Sequence, residues 1–290
     1  MAEKILIDTD LGSDCDDAGA LALLHNMAEE GMAKTIGITH CASEISGAIA
    51  LKVINEWYKR SDIPIGRLTR YKFLEGEKCT SFTKKTAESY IESHEIPRFE
   101  DSVKVMRKAL VENTGVTLVT IGMMNNVADL LRSEPDEISD KNGLELVRDS
   151  VRCMYSMGGN FKDFEYEEYN IKTDVKSANY VAAHFPAPII YAGFELGCDI
   201  KTGNNLKNGS DENPVRKMYD ILGGLGFSWD PITAYCAIRQ ENKFFDKSSE
   251  KTISFDDRGR TICTDGGKDF YLVMTAELEA VRAELDKYIR

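Results

Sequence analysis

The sequence predicts an open α/β fold, a doubly wound and mostly parallel sheet with helices on both faces, and three observations predict it. Short, near-continuous apolar runs alternate with longer stretches of helical periodicity from one end of the chain to the other, the pattern of parallel strands buried on both faces. No shift of composition, internal repeat or low-complexity tract marks a boundary, so the 290 residues read as one domain, 1–290. The densest group of carboxylates follows the first strand directly, where an open α/β sheet keeps its ligand crevice.

Taken in order, Lys4–Asp8 (KILID) reads as a buried strand, followed by a helix from about Asp17 to Glu30. Lys34–Thr39 is strand-like, Glu44–Lys59 repeats apolar residues at helical spacing, and Ile63–Ile65 is a short strand. Val103–Glu112 reads as a helix. Val116–Ile121 (VTLVTI) is a strand, apolar but for Thr117 and Thr120, ending at Gly122. A further helix starts at Asn125, with Asn125 or Asn126 suited to cap it. Arg152–Ser156 is a strand before Gly158–Gly159, and a helix over Val175–His184 leads to the strand Ala187–Ala192. Helices follow near Pro214–Leu225, Asp230–Gln240 and Thr275–Ile289. Leu68–Thr86, Lys201–Glu212 and Lys243–Asp269 break the alternation. They are polar or Gly-rich and read as lids, the last with a hairpin turning at Asp257–Gly259.

Apolar content of 42% and charged content of 29% are those of a globular protein. A net charge of −12 excludes nucleic acid as the expected partner, because phosphate binding needs clustered Lys and Arg. The seven cysteines (Cys15, Cys41, Cys79, Cys153, Cys198, Cys236, Cys263) are scattered and form no CxxC pair. Reduced thiols and a cytoplasmic location are therefore expected. Met-Ala-Glu-Lys runs straight into a strand without the pattern of a signal peptide, and no apolar run is long enough to predict a membrane span.

The strongest local signal is the run Asp8-Thr9-Asp10-Leu11-Gly12-Ser13-Asp14-Cys15-Asp16-Asp17, with five carboxylates in ten residues. Ionised carboxylates crowded together repel and call for a cation. An oxygen-only donor set favours Ca²⁺ or Mg²⁺ over zinc or copper. Gly12 supplies the bend, and Asp16 and Asp17 fall at the positive end of the next helix. Some of these aspartates, Asp14 first, have the alternative of capping that helix or facing solvent. An EF-hand loop fits badly, since its Gly and closing Glu are misplaced. An aspartyl-phosphatase loop, DxDx[TV], with Asp8 as nucleophile and Asp10 as acid, is a competitor weakened by Gly12 at the Thr/Val position.

The run DTDLGSDCDDAGAL closely resembles the N-terminal signature of the nucleoside hydrolases of the inosine–uridine-preferring type, in a variant with two extra residues before the paired aspartates. The resemblance continues along nearly the whole chain. Ile121–Asn126 (IGMMNN) is similar to a GPLTN-like segment, Met157–Asn160 to an MGG element, Glu167–Asn170 with Asp174 to an AEFN…DP element, and Trp229-Asp230-Pro231 to an HDP or WD segment. The resemblance implies the doubly wound fold and metal-dependent hydrolysis of the N-glycosidic bond of ribonucleosides to ribose and free base. It implies one Ca²⁺ per chain in preference to Mg²⁺, a small nucleoside as substrate, and a homo-oligomer, dimer or tetramer. It makes Asp10 both ligand and proton acceptor, with Asp17, Asp230 and the backbone carbonyl of Asn125 completing the metal site. Asp16, Asn160, Glu168 and Asn170 would hold the ribose hydroxyls.

The chemistry suits these residue types on its own account. Cleavage of an N-glycosidic bond passes through an oxocarbenium-like state. Carboxylates and amide oxygens stabilise that charge, a metal activates water, and an aspartate takes its proton. Asn160, Glu168 and Asn170 have the plainer alternative of stabilising loops. The sequence departs from the family twice. Trp229 stands where many members carry His, and is expected to line the base pocket by stacking. Thr39–Glu44 offers no match to the family's GN-type ribose contact. Phe194–Gly197 is placed to face the pocket, with helix entry the alternative role of Glu195. A non-catalytic riboside- or cation-binding protein is the remaining alternative, because fold does not ensure turnover.

Overall fold

The computed structural model describes residues 2–290. Its strands are β1 (Glu3–Thr9), β2 (Ala33–His40), β3 (Ile65–Arg67), β4 (Glu100–Asp101), β5 (Val116–Thr120), β6 (Val151–Met157), β7 (Ile189–Ala192), β8 (Lys201–Thr202), β9 (Gly226–Phe227), β10 (Phe245–Lys247), β11 (Lys251–Phe255), β12 (Thr261–Asp265) and β13 (Phe270–Met274). Its helices are α1 (Asp16–Glu29), α2 (Ile45–Trp57), α3 (Lys84–Ser93), α4 (Ser102–Glu112), α5 (Asn125–Arg132), α6 (Gly143–Ser150), α7 (Tyr169–Thr173), α8 (Val175–His184), α9 (Pro214–Ile221), α10 (Trp229–Ile238) and α11 (Leu278–Asp286).

Nine strands form the main sheet in the order β10-β13-β7-β6-β5-β1-β2-β3-β4. Every pairing in it is parallel except β10 with β13. From β1 the chain winds outward through β2, β3 and β4, then returns to β5 and winds the other way. The expected doubly wound sheet is therefore present, and its direction reverses between β1 and β5. Loops leaving the carboxyl ends of those two strands face a common crevice.

Alternation along β1 feeds a core on each face: Ile5 and Ile7 join one apolar cluster, Leu6 the other. The first cluster takes α1 and α10, which pack on each other; the second takes α4, α5, α6 and α8. Nearly every side chain of α1 is buried, so the helix that follows the acidic loop is held from all sides.

Some elements differ from the sequence expectation. Asn125 and Asn126 do not cap α5; the cap position is Met124, and both asparagines lie inside the first turn. Their side chains point elsewhere, Asn125 Nδ2 to the Cys41 carbonyl (3.0 Å) and Asn126 Nδ2 to Asp8 Oδ1 (2.8 Å). The segment after the third lid is a strand, β13, inserted parallel to β7. Part of the first lid is the helix α3. The hairpin expected around Asp257–Gly259 forms as β11–β12.

Candidate active site

The crevice between β1 and β5 opens into a cavity of about 180 Å³. Asp10, Asp14 and Asp16 line it from the acidic loop, Ile121 from the end of β5, and Met157 from the end of β6. Glu168, Tyr169 and Asn170 line it from the start of α7, and Phe194, Trp229 and Asp230 complete the lining. The sequence-derived residues Asp10, Asp16, Glu168, Asn170, Trp229 and Asp230 are thus brought together. Asp17, Asn125 and Asn160 are buried but do not line the cavity.

Two close approaches set the acidic loop. A Cβ on Gly12 would stand 2.1 Å from the Cys79 carbonyl oxygen, so only glycine lets the first lid lie on the loop. A Cβ on Gly122 would stand 2.8 Å from Asp10 Oδ1, so the glycine ending β5 makes room for that carboxylate. Asp17 is fixed by the Thr9 hydroxyl, which donates to its Oδ1, and its Oδ2 has no partner among the described residues. The Asp230 amide donates to Asp16 Oδ2 at 3.2 Å. One oxygen each from Asp14, Asp16 and Asp17 lie within 4.8 Å of one another.

Burial, then the neighbouring carboxylates, raise Asp10, Asp16, Asp17 and Asp230 well above the usual carboxylate range. Burial also pushes Glu168 up to about 7, against four backbone amides, those of Asn170, Ile171, Gly159 and Tyr169, that lower it. None of the cavity-lining residues is Lys, Arg or His. Dense oxygen donors with an orphaned buried carboxylate oxygen fit a hard divalent cation.

Asp8 is not part of this surface. It is fully buried beneath the loop and accepts from Thr39 (2.5 Å) and Asn126 (2.8 Å); burial pushes it up to about 7. A side chain sealed there cannot attack a phosphate, which removes the phosphatase reading.

The family model described as "Inosine-uridine preferring nucleoside hydrolase" matches residues 5–284. The chain belongs to the nucleoside hydrolase family. It is a hydrolase acting on N-glycosyl compounds, of a family that depends on a metal. No curated protein sequence matches it. Solved structures share its fold over their whole length. A plant nucleoside hydrolase, PpNRh1, is 17% identical with a TM-score of 0.71, covering 100% of this chain and 99% of the other. The inosine-uridine preferring nucleoside hydrolase of Bacillus anthracis is 14% identical with a TM-score of 0.72, covering 99% and 97%. The purine-preferring ribonucleoside hydrolase of Gardnerella vaginalis is 18% identical with a TM-score of 0.73, covering 99% and 98%.

Several residues of this nucleoside hydrolase have structural duties as well. Glu168 caps α7 by accepting from Asn170 N and Ile171 N (both 3.0 Å), and takes Gly159 N at 3.3 Å. Asn160 Oδ1 accepts from Lys162 N (3.0 Å) and Asp163 N (2.8 Å), the loop-stabilising role, while its own amide reaches Thr261 Oγ1 of the hairpin (2.9 Å). Asn170 Nδ2 donates to Met157 Sδ at 3.1 Å. Asn125 Oδ1 is buried without a partner among the described residues.

Trp229 stacks on Phe194 (centroids 5.3 Å apart) and leans on Phe227 (4.7 Å), and Phe194 stacks on Tyr166 (4.4 Å). Its Nε1–H donates to the Phe194 carbonyl at 2.8 Å, so the indole has no proton to offer a base. Glu195 accepts from Phe161 N at 3.2 Å and belongs to the wall's support. His25 pairs with Asn55, and His40 lies between the Leu11 and Ala42 carbonyls, donating to one of them as a neutral ring; both are buried outside the cavity. Tyr169, Met157 and Ile121 were missed as lining residues. Each lies within a family-like motif quoted above, which is the available signal.

Proposed function

We propose that the chain is a Ca²⁺-dependent N-ribohydrolase that cleaves ribonucleosides to ribose and free base. The observation that carries this is the convergence of Asp10, Asp16, Asp230, Glu168 and Asn170 on one cavity. Asp10, Asp17, Asp230 and the Asn125 backbone carbonyl would hold the cation. Irregular, carboxylate-rich donors suit Ca²⁺, which accepts six to eight oxygens in flexible geometry, better than the octahedral demand of Mg²⁺. When bound, the cation polarises and aligns the attacking water.

Asp10 accepts the proton of that water. Asp16, Asn160, Glu168 and Asn170 hold the ribose hydroxyls, Asn160 through the amide nitrogen that its turn leaves free. The surrounding carboxylates stabilise positive charge as it develops on the sugar. Trp229, braced by Phe194 and Phe227, presents an aromatic wall to the base and contributes by stacking.

The test is chromatography of free bases released from a panel of purine and pyrimidine ribonucleosides, with Ca²⁺ and with excess chelator. Base release that stops on chelation and returns with Ca²⁺ is expected. Base release unaffected by chelator would remove the cation from the reaction, and intact nucleosides throughout would remove the substrate class.

A further inference from the structure

A base that leaves an N-glycosidic bond takes the bonding electron pair with it, so an uncharged base becomes an anion unless a proton meets it. Among the described residues the cavity offers no such proton. Trp229 spends its Nε1–H on the Phe194 carbonyl at 2.8 Å. The Ile121, Met157 and Phe194 side chains have none to give, and no Lys, Arg or His lines the cavity. Glu168 is committed as an acceptor, Oε1 to the Asn170 amide and Oε2 to those of Ile171 and Gly159. Tyr169 is half exposed and also lines an outer cavity with Ser13, Asp14, Lys78 and Ser81, which places it at the mouth.

The charge of the cavity points further. Asp10, Asp14, Asp16, Asp230 and Glu168 all line it, and one divalent cation offsets two of these five charges. A base departing as an anion is repelled there. A base that is cationic from the start is drawn in by the same field. The stacked rings of Phe194 and Trp229, both lining the cavity, attract a cation through their faces.

We propose that the preferred substrates are ribosides whose base carries a fixed positive charge, of the N-ribosylpyridinium class. The inference rests on the reaction proposed above and names the substrate that suits it best. The C1′–N bond breaks, its electron pair passes to the ring nitrogen and cancels the positive charge there, and the base leaves neutral. Water adds to C1′ and its proton passes to Asp10, giving ribose. Positive charge moves from base to sugar within the same anionic cavity, so no proton donor is needed and no anion has to form.

The test compares kcat/KM in saturating Ca²⁺ on three probes: N-ribofuranosylpyridinium, inosine and a 4-nitrophenyl riboside. The pyridinium riboside is expected to exceed each of the others by at least about tenfold. Raising the KCl concentration should lower its kcat/KM by about threefold or more and leave that of inosine flat, a dependence that a merely labile bond does not have. Inosine or the 4-nitrophenyl riboside cleaved as fast as the pyridinium, or a pyridinium rate indifferent to salt, would overturn the preference and leave the hydrolase reading standing. Release from none of the three would remove that reading, and the preference with it.

Discussion

Asp10 owes its position to the missing side chain of Gly122, whose Cβ would meet it at 2.8 Å. In Gly122→Ala the new Cβ also meets Asp10 Cβ and its backbone N, both at 2.9 Å, so the Asp10 backbone and its carboxylate have to shift together. A displaced proton acceptor forfeits much of the ~10²–10⁴-fold that acid–base catalysis supplies. We expect kcat to fall by at least about tenfold and the melting temperature to fall as well, so base release is read at a temperature where the melting curve shows the variant folded. Unchanged kcat would mean that Asp10 is not the acceptor. Trp229 gives a second contrast. With its N–H committed to Phe194, it can stack on a base but cannot protonate one. A 4-nitrophenyl riboside, whose leaving group needs no proton, is expected to outrun purine nucleosides. Trp229→Ala should depress nucleoside turnover and leave Ca²⁺ binding intact. Comparable kcat on both substrate types, with an acidic limb near neutrality, would mean that a proton donor exists elsewhere in the lids.

At the scale of elements, α1 and β2 each bury a neutral histidine. Burial lowers His25 and His40 from 6.5 to about 4. In the unfolded chain both bind protons nearer pH 6.5, so acid favours unfolding. The native state is unaffected above pH 6.5, loses stability as pH falls towards 4, and levels off below. A shift of that size corresponds to on the order of 3 kcal/mol per histidine. Urea midpoints measured in Ca²⁺ from pH 7.5 to 4.5 should therefore fall less steeply in His25→Gln than in the wild type. Parallel slopes would show that His25 is not buried neutral. These same elements mark what the sequence could and could not reveal. The apolar runs of β1, β5 and β6 and the periodicity of α2, α4 and α8 were legible because burial on both faces leaves an unbroken pattern. α6 went unread because it is short and carries charge on an exposed face, though its Asn142–Glu145 capping box was visible in retrospect. β13 was hidden by the Gly-rich turn before it and by its place one strand in from the sheet's edge, between β10 and β7.

For the whole molecule, winding in both directions from β1 is what brings the acidic loop, the Gly122 turn, the α7 cap and the α10 start to one crevice. Local sequence carried the carboxylates and their order. It could not show that Asp8 would be sealed beneath the loop by Thr39 and Asn126, because that depends on β2 and α5 closing over it. Nor could it show that Asn160 spends its carbonyl oxygen on its own turn. The central claim is that Asp16, Glu168, Asn170 and a cation grip the ribose hydroxyls, and the sugar itself tests it most directly. The measurement is kcat/KM in saturating Ca²⁺ for the fastest ribonucleoside substrate and for its 2′-deoxy counterpart. Removing a hydroxyl leaves buried polar groups unpaired, so the deoxynucleoside should be slower by at least ~10²-fold. Equal kcat/KM for the two sugars would contradict the account.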